Sequence, residues 1–293
     1  MVAYFFLNYI FINNKIKRMK KLLSIACFFI TAITAAQSTS KISLKKGQSI
    51  TATSTANTES ELSMGTTKND IALTNVMNVL NEKGNNYIVT VTATKMKMEM
   101  EGMGQNISFD SDKKEDKESE IGQSVAGKLN VTDTFELDKS TGKLTLINLK
   151  KSEEEANMSA GMSIMSGGGE DQPFNGAFLI VPSNKKTGDS WEETITNKGL
   201  TTKKTYTIKS IEKSIATIEL TGTTIGTIEQ EMQGMTMNIT MDSKFKGGVK
   251  ADITTGTVIE STNNQDSNNS MDVMGQQMQV TSKSNSTTLF SVK

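Results

Sequence analysis

The chain reads as an all-β protein: two related antiparallel β-meander halves forming curved sheets or a partly open barrel, with a short helical or loop linker. Three observations predict this class. Beyond residue 36, Val, Ile and Thr alternate with polar residues at a period of two, the mark of half-buried strands. Clusters of Gly, Asn and Asp interrupt the alternation at hairpin spacing. Motifs of the first half recur in the second half in the same order. Composition agrees. The 35 % hydrophobic share and single Cys exclude a multi-span membrane protein and a disulfide scaffold, and 22 % charged residues at zero net charge argue against disorder.

The first element is a leader. Met19-Lys20-Lys21, the apolar run Leu22 to Ala36 and small residues before Gln37 have the grammar of a secretory signal peptide over residues 19–36. Residues 1–18 read as an artefact of an upstream start, because a signal n-region belongs directly after Met19. The alternative, a membrane pair of Val2–Ile12 and Leu22–Ala36, would need runs of about 18–20 residues to span. Cys27 lies inside the apolar stretch and is discarded with the leader; the other reading acylates Cys27 as a lipoprotein. The chain is therefore expected to be exported, periplasmic or extracellular, with no stable transmembrane anchor after cleavage. Cleavage would remove five of the 32 basic residues, Arg18 among them, and no acid, leaving 27 Lys against 32 acids. An acidic chain without Arg or His lacks the usual tools of phosphate recognition, so nucleic acid is not an expected partner.

The first β half covers 37–150. Tyr87, Val89, Val91 and Ala93 share one parity and Met96, Met98 and Met100 the other, which predicts a bulge near Thr94. Val76–Leu80 before it and Asn81 to Asn85 complete a hairpin, and Gly102-Met103-Gly104 makes the next turn. Phe135–Asp138, Ser140-Thr141-Gly142 and Lys143–Ile147 read as a further hairpin, and Asp110 to Glu120 as a solvated loop or helix start. A linker at 151–184 follows. Ser152-Glu153-Glu154-Glu155 fits a capping box, and Met158, Met162 and Met165 fall at helical spacing before Gly167-Gly168-Gly169. Phe178–Val181 then reads as a buried strand stopped by Pro182. The second β half covers 185–293, with Asn263–Ser270 as a polar loop.

The echoes between halves keep their spacing. Glu99-Met100-Glu101-Gly102-Met103 recurs as Glu231-Met232-Gln233-Gly234-Met235, 132 positions on, and again in Met271 to Gln276. Lys46-Gly47-Gln48-Ser49-Ile50 matches Thr187-Gly188-Asp189-Ser190-Trp191 at 141, and Asp138 and Gly142 match Asp252 and Gly256 at 114.

Leu179-Ile180-Val181-Pro182 followed by Gly188-Asp189-Ser190-Trp191 resembles a family of exported Gram-negative proteins of unknown function that carry a Gly-Asp-Ser-Trp motif. Lys46-Gly47-Gln48 and the Asp252 to Gly256 turn fit the same resemblance, which covers most of the mature chain. It implies the fold and export and brings no activity.

Few chemistries survive. Ser190 has no His to take its proton, so Gly188, Asp189, Ser190 and Trp191 read as a turn and strand entry. Without His and Cys, ordinary zinc and haem sites are excluded. A carboxylate-dependent glycosidase remains conceivable, although such clefts use aromatic residues that are scarce here. Asn263, Asn264, Asp266, Asn268, Asn269 and Asp272, or Asp110, Asp112 and Glu115, offer hard oxygens for calcium without matching an EF-hand. Met96, Met98, Met100, Met103, Met235 and Met237 are soft-ligand candidates for Cu(I), or fill the core, or line an apolar ligand surface. The expected function is a non-enzymatic binding or envelope-accessory module, without a cofactor, for an apolar small molecule or an envelope component.

Overall fold

The computed structural model describes residues 41–63, 65–102, 104–119, 122–123, 129–147, 174, 176–197, 199–232, 235–273 and 276–293. The expected leader with Cys27, and the part of the linker carrying the capping box and Met158, Met162 and Met165, lie outside them. The described chain is all-β. Its strands are β1 (Ser49–Leu62), β2 (Gly65–Lys83), β3 (Asn86–Gly102), β4 (Gln105–Asp110), β5 (Thr132–Asp138), β6 (Leu144–Leu146), β7 (Ser190–Asn197), β8 (Leu200–Glu212), β9 (Ile215–Met232), β10 (Met235–Asp252), β11 (Thr257–Val273) and β12 (Gln276–Val292), with one short helix, α1 (Lys114–Glu118). All belong to one antiparallel sheet in the order β6-β5-β3-β2-β1-β12-β11-β10-β9-β8-β7, with β4 also on β3. The sheet is not closed into a barrel, since β6 and β7 end it. The two halves meet along β1 and β12, paired from Ile50↔Val292 to Leu62↔Val280.

The parity switch in β3 has the anticipated cause. Thr74 pairs with Lys95 and Asn75 with Ala93, so Thr94 is left over and bulges. The buried set moves there from Tyr87, Val89 and Val91 to Met98. The polar stretch Asn263–Ser270, expected as a loop, is instead the middle of β11, paired to β10 on one side and β12 on the other. Its strand signal is silent because the inward positions Asn263, Gln265, Ser267 and Asn269 are themselves polar. Phe178–Val181 forms only a bridge at Phe178↔Thr257 rather than a strand, because Pro182 ends the run and brings no amide hydrogen.

The echoed motifs build the same hydrogen-bond frames twice. The Gly47 amide donates to the Val79 carbonyl at 2.8 Å, the Val79 amide to Gln48 at 2.9 Å and the Lys45 amide to the Gln48 side chain at 2.7 Å. In the second half the Gly188 amide donates to Ile208 at 2.8 Å, Ile208 to Asp189 at 3.0 Å and Lys186 to the Asp189 carboxylate at 3.0 Å. Gly47 and Gly188 have φ of 83° and 92°, a region open to Gly at little cost. The Asp138 carboxylate accepts the amides of Ser140 and Thr141, as Asp252 accepts those of Thr254 and Thr255. Each loop closes on a Gly at φ 73°, Gly142 and Gly256. Bulges at Leu80 and Lys209 also correspond.

The core sits at one end of the long strands and forces the sheet to roll. Ile50, Met77, Val89, Leu137, Ile208, Ile218 and Val258 are almost wholly buried there. Each such side chain contributes roughly 1.5–3 kcal/mol. The Ile42 amide donates to Lys139, in the β5–β6 turn, at 2.7 Å, and the next amide, Ser43, donates to Thr255, in the β10–β11 turn, at 2.9 Å. In a flat sheet β5 and β11 would be five strand spacings apart, about 24 Å. Consecutive residues can bridge them only if the wings curl toward each other. Glycines permit tight passages: a Cβ at Gly222 would strike the Phe245 ring and the Lys203 carbonyl, and one at Gly247 the Thr262 carbonyl.

Lys139 locks this end. Buried to 8 % side-chain exposure, it pairs with Glu82, donates to the Gly84 carbonyl at 2.8 Å and lies 4.6 Å from the Tyr87 ring centre. The Tyr87 hydroxyl accepts the Leu44 amide at 3.0 Å. Replacing Gly47 or Gly188 with Ala is expected to cost about 1–2 kcal/mol each, from forcing a Cβ into left-handed backbone. Urea midpoints that fall by similar amounts in both variants would verify the equivalence; an unchanged midpoint in either would contradict it. Burial pushes the Asp138 carboxyl up, but bonds from the Ser140 and Thr141 amides, the Thr141 hydroxyl and the Asn85 side chain outweigh it and hold its pKa below the ordinary value. Its contribution is therefore complete above the ordinary Asp pKa of about 3.9 and is lost as pH falls through the lower folded value. An Asp138→Asn variant should show a shallower loss of stability on that acid side, measured by thermal melts across pH.

Candidate functional site

Away from the core, the sheet presents two unlike faces. On β1 the outward Thr53, Thr55, Asn57, Glu59 and Glu61 are exposed, whereas the inward Ser54, Ala56, Thr58 and Ser60 are half-buried or buried. Alternation continues on β3, where Lys95, Lys97, Glu99 and Glu101 face water and Met96, Met98 and Met100 face in. The roll of the wings shelters this inner face, which is the candidate site.

Its middle strip is made of small hydroxyls and amides. Ser54 bonds Thr288 at 3.0 Å and Thr58 bonds Ser284 at 2.9 Å across the β1–β12 seam. Ser243, fully buried, donates to Ser267 at 2.8 Å, and Gln265 donates to Ser267 at 3.0 Å. The side-chain oxygens of Asn69, Asn263 and Asn269 are buried without a hydrogen-bond partner among the described residues, a state that costs free energy unless a donor arrives. Periodicity gave little signal for this strip, because most of its inward residues are hydroxyls and amides.

The wing formed by β2, β3 and β4 is apolar. Register aligns Leu73 with Met96, Ile71 with Met98 and Phe109, and Ile107 with Met100. Met98 and Phe109 are buried at 8 % and 2 % exposure, with Ile71, Met96, Ile107 and Leu129 packed against them. The far wing adds Phe245, Met241 and Ile239 on β10, and Trp191 stacked on Tyr206 with ring centres 5.0 Å apart.

The copper candidates separate. Met98 is packed with Phe109, Ile71, Ile107, Leu129 and Met96 in an apolar cluster, and Met96 and Met100 lie on either side of it, about 13 Å apart along the strand. Met235 and Met237 are on β10, five strand steps from β3, and Met103 lies outside the described residues. The candidate calcium oxygens diverge, since Asn263 and Asn269 point inward while Asn264, Asp266, Asn268 and Asp272 are on the exposed side. Near α1, Asp110 accepts the Asp112 amide and Asp112 holds Lys95 at 2.7 Å. Among the described residues no three His, Cys, Asp or Glu side chains gather into a metal-binding group. In the Gly-Asp-Ser-Trp motif Gly188 turns the chain, Asp189 bonds backbone, Ser190 Oγ sits 2.8 Å from Thr207 Oγ1 and Trp191 stacks on Tyr206. These contacts order a strand entry.

The profile of a family of unknown function, DUF6263, matches residues 171–258. That stretch encloses Gly188 to Trp191 and Asp252 to Gly256. No curated protein matches the sequence. Among solved structures, the chain is similar to lipovitellin, in a structure titled for its lipid–protein interactions, at 10 % identity and a TM-score of 0.49 over 86 % of this chain; it spans 26 % of the lipovitellin chain. The translocator domain of the autotransporter NalP from Neisseria meningitidis is 7 % identical, with a TM-score of 0.23, covering 93 % of this chain and 97 % of that one. A protein of YmcC-like fold from Bacteroides fragilis is 10 % identical, with a TM-score of 0.17, covering 86 % and 98 %. At these scores none bears on what the chain does. Among the described residues no helix is long and apolar enough to cross a membrane.

Truncating Met98 to Ala should cost about 2–5 kcal/mol, as for other buried methionines, whereas Met100→Leu, at a half-buried position, should leave the denaturation midpoint nearly unchanged. Equal effects of the two substitutions would refute the distinction between packed core and sheltered surface.

Proposed function

We propose that this chain is a non-enzymatic binding module, exported by its 19–36 leader, which shelters an elongated apolar ligand such as the acyl chain of an envelope lipid. One observation carries the reading: the inner face holds Ile71, Leu73, Met96, Met100 and Ile107 half-buried on one wing, while the outer face of the same strands is charged. A surface that only needed to pack against itself would bury these residues fully, as the core end does. Thioethers and branched aliphatics accommodate ligands of varied outline, and a rolled sheet provides a trough along the strands. The orphaned amide oxygens of Asn69, Asn263 and Asn269 favour a ligand that also brings hydrogen-bond donors, such as a hydroxylated headgroup. The acids Glu59, Glu61, Asp70, Glu99 and Glu101 of the same strands project outward to water, which leaves the inner face of this wing to apolar side chains.

Native mass spectrometry of protein purified from its own cell envelope should show an added lipid-sized mass. A Leu73→Asn, Met100→Gln variant should keep its circular dichroism and lose that mass at least tenfold. Protein that is always ligand-free, and that fails to take up a fluorescent fatty acid, would defeat the proposal.

A further inference from the structure

Among the described residues the sheet ends at β7, and the register shows which of its backbone groups face away from β8. Asn197 pairs with Leu200 across the hairpin, so Trp191, Glu193, Ile195 and Asn197 direct their backbone groups to β8. Glu192, Thr194 and Thr196 direct theirs away from the sheet. Ser190 does so as well, and its carbonyl accepts Lys185 Nζ at 2.8 Å. In the first half the counterpart of Ser190 is Ser49, which exchanges two backbone bonds with Lys293 of the strand segment beside it, at 3.0 and 2.8 Å. The edge of β7 is thus the copy of an edge that is filled elsewhere in the same molecule by an antiparallel strand. The other ends of the sheet are poorer templates: β6 has three residues, and the outward Asp110 amide of β4 is taken by the Asp116 carboxylate at 2.8 Å.

We propose that β7 pairs antiparallel with β7 of a second copy of this chain, across a two-fold axis through Thr194. Outward groups must meet outward groups, which restricts the registers. Placing Glu192 or Glu193 on the axis would set two carboxylates directly opposite each other, a destabilising arrangement. With Thr194 on the axis, Glu192 faces Thr196 of the second copy, Glu193 faces Ile195 and Trp191 faces Asn197, and all three outward residues are paired. The Glu193 carboxylate is already held within its own sheet by the Tyr206 hydroxyl at 2.9 Å. A two-fold pairing of this kind closes on itself and yields a dimer rather than a fibre.

Sedimentation of the full chain from micromolar to millimolar concentration tests this, together with amide exchange. The mass should rise toward twice that of one chain, with the Glu192, Thr194 and Thr196 amides gaining protection as it does. Thr194→Pro removes an amide hydrogen that the β7–β8 ladder does not use, and Thr194→Lys sets two ammonium groups face to face on the axis. Both variants should remain single chains with unchanged circular dichroism. A wild-type protein that stays a single chain throughout would overturn the proposal, as would a dimer that survives Thr194→Lys. Protection of the same amides in a single chain by an added Lys-rich strand peptide would reassign the edge to a foreign partner. None of these results depends on ligand retention by the inner face.

Discussion

The architecture depends on one constraint: adjacent amides, Ile42 and Ser43, are bonded to turns belonging to opposite wings of the sheet. Satisfying both at once requires curvature, and curvature divides the sheet into a sheltered face and a wet one. The apolar residues at that end, with Lys139 clamped among Glu82, Gly84 and Tyr87, make the arrangement favourable rather than merely possible. Further along the strands the packed interior thins out. There the same curvature encloses half-covered side chains, and the molecule passes from a conventional core to a sheltered inner face without changing its secondary structure.

Much of the fold was legible in the sequence. Period-two alternation identified β3, β5, β6 and the end of β2 but not β1, the parity switch located the Thr94 bulge, and the echoed Gly and Asp residues proved to be repeated hydrogen-bond frames. Each of these signals is local and leaves a trace in residue type. The middle of β11 left none, because Asn263, Gln265, Ser267 and Asn269 face inward without being apolar. Alternation detects strands through the contrast between faces, and here the contrast is absent. The joining of the two halves into one sheet was equally silent, since pairing between the first and last strands depends on register between distant segments. The candidate site was half visible: the methionine stripe could be read, while the separation of packed Met98 from half-covered Met96 and Met100 required knowing which neighbours lie across the strand.

The duplicated frames explain why the two halves can share a sheet yet differ in surface. Turn geometry is held by Gly47, Gly188, Gly142 and Gly256 and by the carboxylates of Asp138 and Asp252, none of which needs the inner face. The strand middles are then free to diverge. One wing has become aliphatic and thioether-rich, the seam hydroxylated, and the far wing aromatic, on strands whose ends obey the same rules.

The seam between β1 and β12 has a temporal consequence. Thr58 and Ser284, bonded neighbours, are separated by 226 positions in the chain. Loop closure over such a distance is slow compared with hairpin formation. A chain emerging from a ribosome therefore carries a first strand that is paired to β2 but open on its other side until β12 arrives, and during that interval both lips of the seam are open to chaperones or to misjoining. The Ser and Thr residues that line those lips make the wait less hazardous than an aliphatic strand would.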